Sequence, residues 1–305
     1  MRTAGDVAAP DGLSVHDHLC WVFDDAADFH RRASRFLAEG VEQGLAVVWV
    51  GAKPHDELAA ELVGLDVDRL ERSGTLSILD LPTQRPDDGP SDPGEQAAFW
   101  ADWGRRATAS GYRGLRVAGD GTPWVRTPEE QAVHLAYEVA LDRVTRGAPV
   151  SVMCAFDRSL LGAEVAAAFA EVHPLASIGA TRFQLYFDDE HDLALRGEVD
   201  LTDATALRRT LELVAPGPVM GPGAGEIHVD AGALLFIDHH GMLVLDRFGE
   251  ERDATLVLHD ARSTCAREVV DLLGLRHVVV ADAGRRLRPV EPVSPRGRGR
   301  GVPEP

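Results

Sequence analysis

His16, His18 and Cys20 alternate along HDHLCWVFDD, so in an extended segment all three side chains project to one face. Cys154 lies near the carboxyl end of the apolar run SVMCAF, Asp157 follows that run, and His173 follows a helical pattern. Asp120 stands just after GLRVAG. In open α/β sheets ligands bind beyond the carboxyl ends of the strands. His16, His18, Cys20, Asp120, Cys154, Asp157 and His173 are therefore the expected ligand-binding residues. Two thiols and several imidazoles suit zinc, through His18, Cys20, Cys154 and His173, because Cys₂His₂ is a common ligand set. A thiolate beside an imidazolium would instead give a reactive cysteine. The spacing is not that of a zinc finger, and no cofactor is expected. Plainer readings compete: a buried free cysteine packs as a small hydrophobe, and His173 before Pro174 suits a helix C-terminus, where the dipole favours a cation.

Other chemistries lack their residues. Lys53 is the single lysine among 31 basic residues and is followed by Pro54. A P-loop needs G-x-x-x-x-G-K-[ST], so Walker-type nucleotide hydrolysis is excluded. The chain has no G-x-S-x-G elbow, no H-E-x-x-H helix and no G-x-G-x-x-G after a strand. GPGAG at 221–225 runs into Glu226, which would repel phosphate.

The elements that must position the candidates alternate. Asp25 opens a helical pattern with Phe29, Ala33, Phe36, Leu37 and Val41 on one face, and Leu45–Val50 then reads as a buried strand. Further helices are expected over Asp56–Val63, Glu95–Ser110, Pro128–Arg146 and Gly162–Val172. Strands are expected over Thr75–Leu79, Gly114–Ala118, PVSVMCAF and Ala180–Phe187. Apolar strands alternating with helices predict a largely parallel sheet covered on both faces. Residues 1–13 read as a flexible N-terminus and Thr83–Gly94 as a surface loop.

The 305 residues suffice for two domains. A net charge of −18 argues against nucleic acid and against anionic membranes. No apolar run reaches membrane-spanning length, the N-terminus lacks a signal-peptide pattern, and three cysteines make no disulfide framework. A cytoplasmic protein is expected.

The segments HDHLCWVFDD, LRVAGDGTPW, YEVALDR, SVMCAFDRSLLG and HPL resemble, in order and spacing, the MEDS domain, the sensory module of the dichloromethane-responsive regulators. The likeness spans residues 14–188. It implies a RecA-like sheet without a nucleotide motif, and recognition of simple hydrocarbon derivatives. The tyrosine of the family's C-x-Y-D element is Phe156 here, so any role of that hydroxyl is lost.

From His191 a second, smaller α/β pattern begins. LRGEVDLTDATAL, EIHVDAGALLFIDHHGMLVL and the closing LLGL resemble a STAS domain, the fold of anti-sigma-factor antagonists, over residues 191–283. Phe236 and Ile237 are expected to end a buried strand, Asp238 to cap the following helix, and Gly241 to permit a close approach. The likeness implies that Asp238, His239, His240 and Gly241 face an anti-sigma factor or a switch kinase. Relatives carry a phosphorylated Ser or Thr there; histidine at both variable positions removes that switch. Imidazoles at a helix N-terminus could instead tune docking with pH, or be merely tolerated. Residues 284–305, rich in Arg, Pro and Gly, are expected to be disordered.

The expected function is a non-enzymatic sensor of a small molecule coupled to a protein-binding domain. The alternatives are a metal- or thiol-dependent enzyme using the His/Cys cluster, and a scaffold that only binds proteins.

Overall fold

The computed structural model describes residues 3–81, 92–214, 225–261 and 265–281. The expected loop at 83–94 and the disordered tail therefore lie largely or wholly outside the described residues, as do Gly221 to Ala224 of the glycine-rich segment.

The chain opens with β1 (Gly5–Val7), β2 (His18–Phe23), α1 (Ala26–Glu42), β3 (Ala46–Gly51), α2 (His55–Glu61), α3 (Val67–Arg72) and β4 (Leu76–Asp80). There follow α4 (Pro93–Ala109), β5 (Leu115–Asp120), α5 (Pro128–Gly147), β6 (Val150–Asp157), α6 (Arg158–Leu161), α7 (Ala163–Glu171) and β7 (Leu175–Ser177). The remaining elements are β8 (Phe183–Phe187), β9 (Leu193–Val199), α8 (Ala204–Val214), β10 (Gly225–Asp230), β11 (Leu234–Ile237), α9 (His239–Arg252), β12 (Ala254–His259), α10 (Ala266–Leu273) and β13 (Val278–Val280).

Seven strands form a wholly parallel sheet in the order β1-β7-β2-β6-β5-β3-β4. Alternation along each strand divides its side chains between two cores. Val47 and Trp49 pack with Phe29, Phe36, Leu37, Leu58 and Leu70 under α1–α3. Val48, Val152 and Phe156 pack with Trp100, Leu135, Val139 and Phe169 under α4, α5 and α7. Helices thus cover both faces, as expected.

Local chemistry sets the helix starts. Asp25 caps α1 by accepting from the Asp28 N–H. Thr127 and Glu130 make a reciprocal capping box at α5, with Pro128 at its first position, where the missing N–H costs nothing. That box fixes where α5 begins.

The second sheet has the order β11-β9-β10-β12-β13, with β8 antiparallel along the other edge of β9. β10 and β11 follow one another along the first edge of β9. Three expectations change. Phe183–Phe187 belongs to this second sheet and not to the first, because its full register of partners is β9. Gly5–Val7, inside the stretch read as flexible, pairs with β7 through Gly5–Leu175, Asp6–Ala176 and Val7–Ser177. Phe236 is 44% exposed, because β11 is an edge strand and only Leu234 and Ile237 turn inward. One apolar core is continuous from the α5 and α7 face of the first sheet into the second unit, through Phe169, Phe183, Leu207 and Leu211.

Candidate functional site

α5 carries His134, Glu138 and Asp142 four residues apart, one stripe along a helix. Leu135, Val139 and Leu141 are buried and anchor the helix, and Glu138 and Asp142 of the stripe meet side chains of β2 and β6. His18 opens β2 and Cys154 is the fifth residue of β6, in strands whose register pairs Cys20 with Cys154. His173 arrives from beyond α7. Four donors from four segments thereby meet in the interior.

Glu138 Oε2 is the hub. It accepts from Cys154 Sγ at 3.1 Å and lies 3.3 Å from His18 Nε2 and 3.5 Å from His173 Nε2. Cys154 Sγ is 3.6 Å from His18 Nε2. The His18 and His173 rings stand 4.0 Å apart, tilted by 41°. Glu138 Oε1 faces His134 Nε2 at 3.1 Å. His18 Nδ1 meets Asp142 Oδ1 at 3.3 Å, and His173 Nδ1 donates to the Phe169 carbonyl at 2.7 Å. His18, Glu138 and His173 are wholly buried.

The electrostatics follow from this enclosure. Burial alone would raise the Glu138 carboxyl, but the imidazoles of His134, His173 and His18 closing around it hold it well below the ordinary carboxylate range. Burial, and then the Glu138 charge, push the Cys154 thiol well up. The same two causes raise Cys20. Neither cysteine is an activated thiolate in this setting. On the aromatic side, Phe156 stacks on Phe169 at 4.1 Å beside the His134 ring, and Trp100 Nε1 donates to the Tyr137 hydroxyl at 2.9 Å.

Of the residues singled out in the sequence, His18, Cys154 and His173 share this cluster, and Cys20 lies next to it on the neighbouring strand. The other three stand elsewhere. His16 binds the Thr145 carbonyl through Nδ1 at 2.9 Å from a positive-φ turn. Asp120 and Asp157 end adjacent strands and serve turns: Asp120 accepts from the Thr122 N–H, and Asp157 caps α6 through the Ser159 N–H. The cluster sits beneath α5 and not at the carboxyl edge of the sheet. Sequence reasoning missed Glu138, Asp142 and His134; their spacing of four was the available signal.

In the second unit Asp238 caps α9, accepting from the His240 and Gly241 N–H groups at 2.8 and 3.0 Å. A Cβ on Gly241 would stand 2.7 Å from Ile237 Cγ1 and 2.9 Å from Val199 Cγ1, which is the close approach that residue permits. His239 is exposed, and His240 Nδ1 lies 3.2 Å from Asp238 Oδ2.

A cleft of about 250 Å³ opens between the two units. Leu135, Ala168 and Phe169 line it from α5 and α7, and Arg209 and Leu213 from α8. Phe169 connects it to the buried cluster through the His173 hydrogen bond. No described helix is long and apolar enough to cross a membrane.

Among solved structures, a KaiC-like protein from the hyperthermophilic archaeon Pyrococcus horikoshii OT3 is 14% identical with a TM-score of 0.36, over 64% of this chain and 88% of that one. No curated protein matches the chain. The family model described as MEDS, the methanogen/methylotroph DcmR sensory domain, matches residues 17–174, a little over half of the 305 residues. Those residues hold the parallel sheet from β2 to β6 and every member of the buried cluster, and the chain belongs to the MEDS family of sensory domains.

Proposed function

We propose that the chain is a cytoplasmic sensor and transducer without catalytic activity, in which a small molecule bound by the MEDS unit changes how a STAS-type second unit presents its surface to a protein partner. The observation that carries this reading is the shared cleft. Its walls come from α5 and α7 on one side and from α8 on the other, so an occupant touches both units at once. A volume of about 250 Å³ suits a compound of a few heavy atoms, such as a simple hydrocarbon derivative. The continuous core gives the signal a packed route into the second unit.

The output surface is the N-terminus of α9. Leu235 and Phe236 on the edge strand beside it are 62% and 44% exposed, a flank suited to protein docking. An anti-sigma factor or switch kinase is the partner class. With histidine at 239 and 240 the surface offers no hydroxyl between Asp238 and Gly241, so docking is insensitive to kinase activity and answers to the cleft instead.

The test is hydrogen exchange of the full-length chain with a panel of small halogenated and oxygenated hydrocarbons. A productive compound raises the melting temperature and alters protection in α8 and around 238–241. Protection confined to the first unit, with unchanged capture of an anti-sigma factor, would reduce the protein to a sensor without this output. Loss of capture on adding ATP, with phosphate mapped to the second unit, would overturn the account of the missing switch.

A further inference from the structure

His18, Glu138, Cys154 and His173 each offer one donor atom, and all four atoms lie within 4.8 Å of one another. Zinc takes nitrogen and oxygen at about 2.0 Å and sulfur at about 2.3 Å, so tetrahedral neighbours stand about 3.3–3.5 Å apart. Four of the six edges of this cluster are 3.1, 3.3, 3.5 and 3.6 Å. The donor separations therefore match those that a tetrahedral zinc site requires.

The second observation is an orphaned lone pair. His173 Nδ1 gives its hydrogen to the Phe169 carbonyl, which can only accept. In the neutral ring Nε2 then carries a lone pair, is buried, and makes no hydrogen bond. It points at the Glu138 carboxylate, itself electron-rich, across 3.5 Å. Two acceptors facing each other in a dry interior repel unless a proton or a metal cation lies between them, and a metal cation is what the four converging donors supply a place for. The outer contacts match as well: a ligating histidine ordinarily gives its other N–H to a carboxylate or a backbone carbonyl. Asp142 serves His18 in that way, and Phe169 serves His173.

We propose that His18 Nε2, Glu138 Oε2, Cys154 Sγ and His173 Nε2 form a closed four-coordinate zinc site that staples α5 and the end of α7 to strands β2 and β6. With two neutral imidazoles, one carboxylate and one thiolate, the bound ion is electrically balanced. Loading requires Cys154 to lose its thiol hydrogen to solvent. Four protein donors leave no open coordination position, so the site orders the fold beneath the cleft and activates no water. It does not rest on the signalling reading, because zinc uptake and partner capture are separate measurements.

The full-length chain, stripped with a chelator, is reloaded with zinc and separately with cobalt(II). The expected result is stoichiometric zinc that survives dialysis, with a proton released in weakly buffered solution. The cobalt form should show visible bands of tetrahedral intensity and a near-ultraviolet thiolate-to-cobalt band. Cys154→Ser removes the thiolate band and Cys20→Ser keeps it. Asp142→Asn weakens zinc binding by roughly tenfold or more through the outer contact alone. The cobalt spectrum of the unaltered chain reads the donor set even where a variant fails to fold. Absence of stoichiometric uptake, an octahedral spectrum without the thiolate band, or equal zinc retention by folded Cys154→Ser and His173→Gln chains would overturn the proposal.

Discussion

Cys20 and Cys154 are register partners on adjacent parallel strands, and Cys154 Sγ hydrogen-bonds Glu138 Oε2 at 3.1 Å from that position. Both thiols are buried and pushed up by that burial and by the Glu138 charge. Cys265, by contrast, is exposed. A thiol-specific disulfide reagent should therefore titrate Cys265 in the native chain, with Cys20 and Cys154 reacting only on unfolding. Cys265→Ser should leave the native chain unreactive. Rapid labelling of Cys154 in that variant would contradict the burial described above.

Arg116 is a second buried anchor of the first unit. Its guanidinium donates to the carbonyls of Phe36 and Leu13, to Gln43 Oε1 at 3.0 Å and to Ser151 Oγ at 3.3 Å, and is stacked on the Phe36 ring. Arg116→Met keeps the stem but strands those acceptors, and should lower unfolding stability by about 3 kcal/mol. Arg116→Lys should recover little, because an ammonium cannot reproduce the planar fork. Urea denaturation of the three chains measures both effects.

Much of this fold is written in local pattern, and the exceptions have physical causes. Apolar runs such as Ala46–Gly51 and Val150–Asp157 announce buried parallel strands, and Asp25 and Thr127 announce helix starts. Three-residue strands such as Gly5–Val7 and Leu175–Ser177 are too short to show a period. FQLYF is equally apolar in either sheet; its pairing with β9 is a matter of topology. The site divides the same way. His18, Cys154 and His173 stand out by residue type. Glu138 does not, because an acidic chain sets carboxylates at helical spacing on solvated faces by default. Asp120 and Asp157 follow strands and resemble ligands, yet each is engaged by the N–H of its own turn.

Three histidines meet in the second unit. His228 Nδ1 lies 2.9 Å from His259 Nε2, and the His191 ring lies 4.7 Å from that of His259, tilted by 40°. Burial, and then the neighbouring His191 and His228, lower the His259 imidazole below its ordinary 6.5, with Asp260 and Asp230 opposing. A base whose folded value is depressed favours the neutral form. Its contribution to stability is complete above the ordinary value and is lost as pH falls through it. The melting temperature should therefore drop between about pH 7 and pH 5, and His259→Gln should flatten that slope. An unchanged slope in the variant would assign the acid sensitivity to other groups.

An ion pair between α7 and α8 is one of the contacts that join the units. Glu171 Oε2 accepts from Arg209 Nη2 at 2.7 Å and from Thr210 Oγ1 at 3.1 Å, and the residue is buried. Arg209 also lines the cleft, so an occupant would meet the cation that holds α8 to α7. Arg209→Met leaves a buried carboxylate without its cation and should cost about 2 kcal/mol, less than a fully buried pair because Arg209 is partly exposed. Adding Glu171→Gln to that chain should restore part of the loss, since the stranded charge is gone. A coupling energy near zero in this double-mutant cycle would show the pair to be incidental. Glu171→Gln alone keeps the residues that line the cleft and should preserve ligand binding. What it should weaken is the dependence of partner capture on the ligand, because the ion pair between α7 and α8 is then reduced to hydrogen bonds to a neutral amide. Ligand-dependent capture that survives Glu171→Gln unchanged would place the transmission in the continuous apolar core through Phe169 and Leu211 instead.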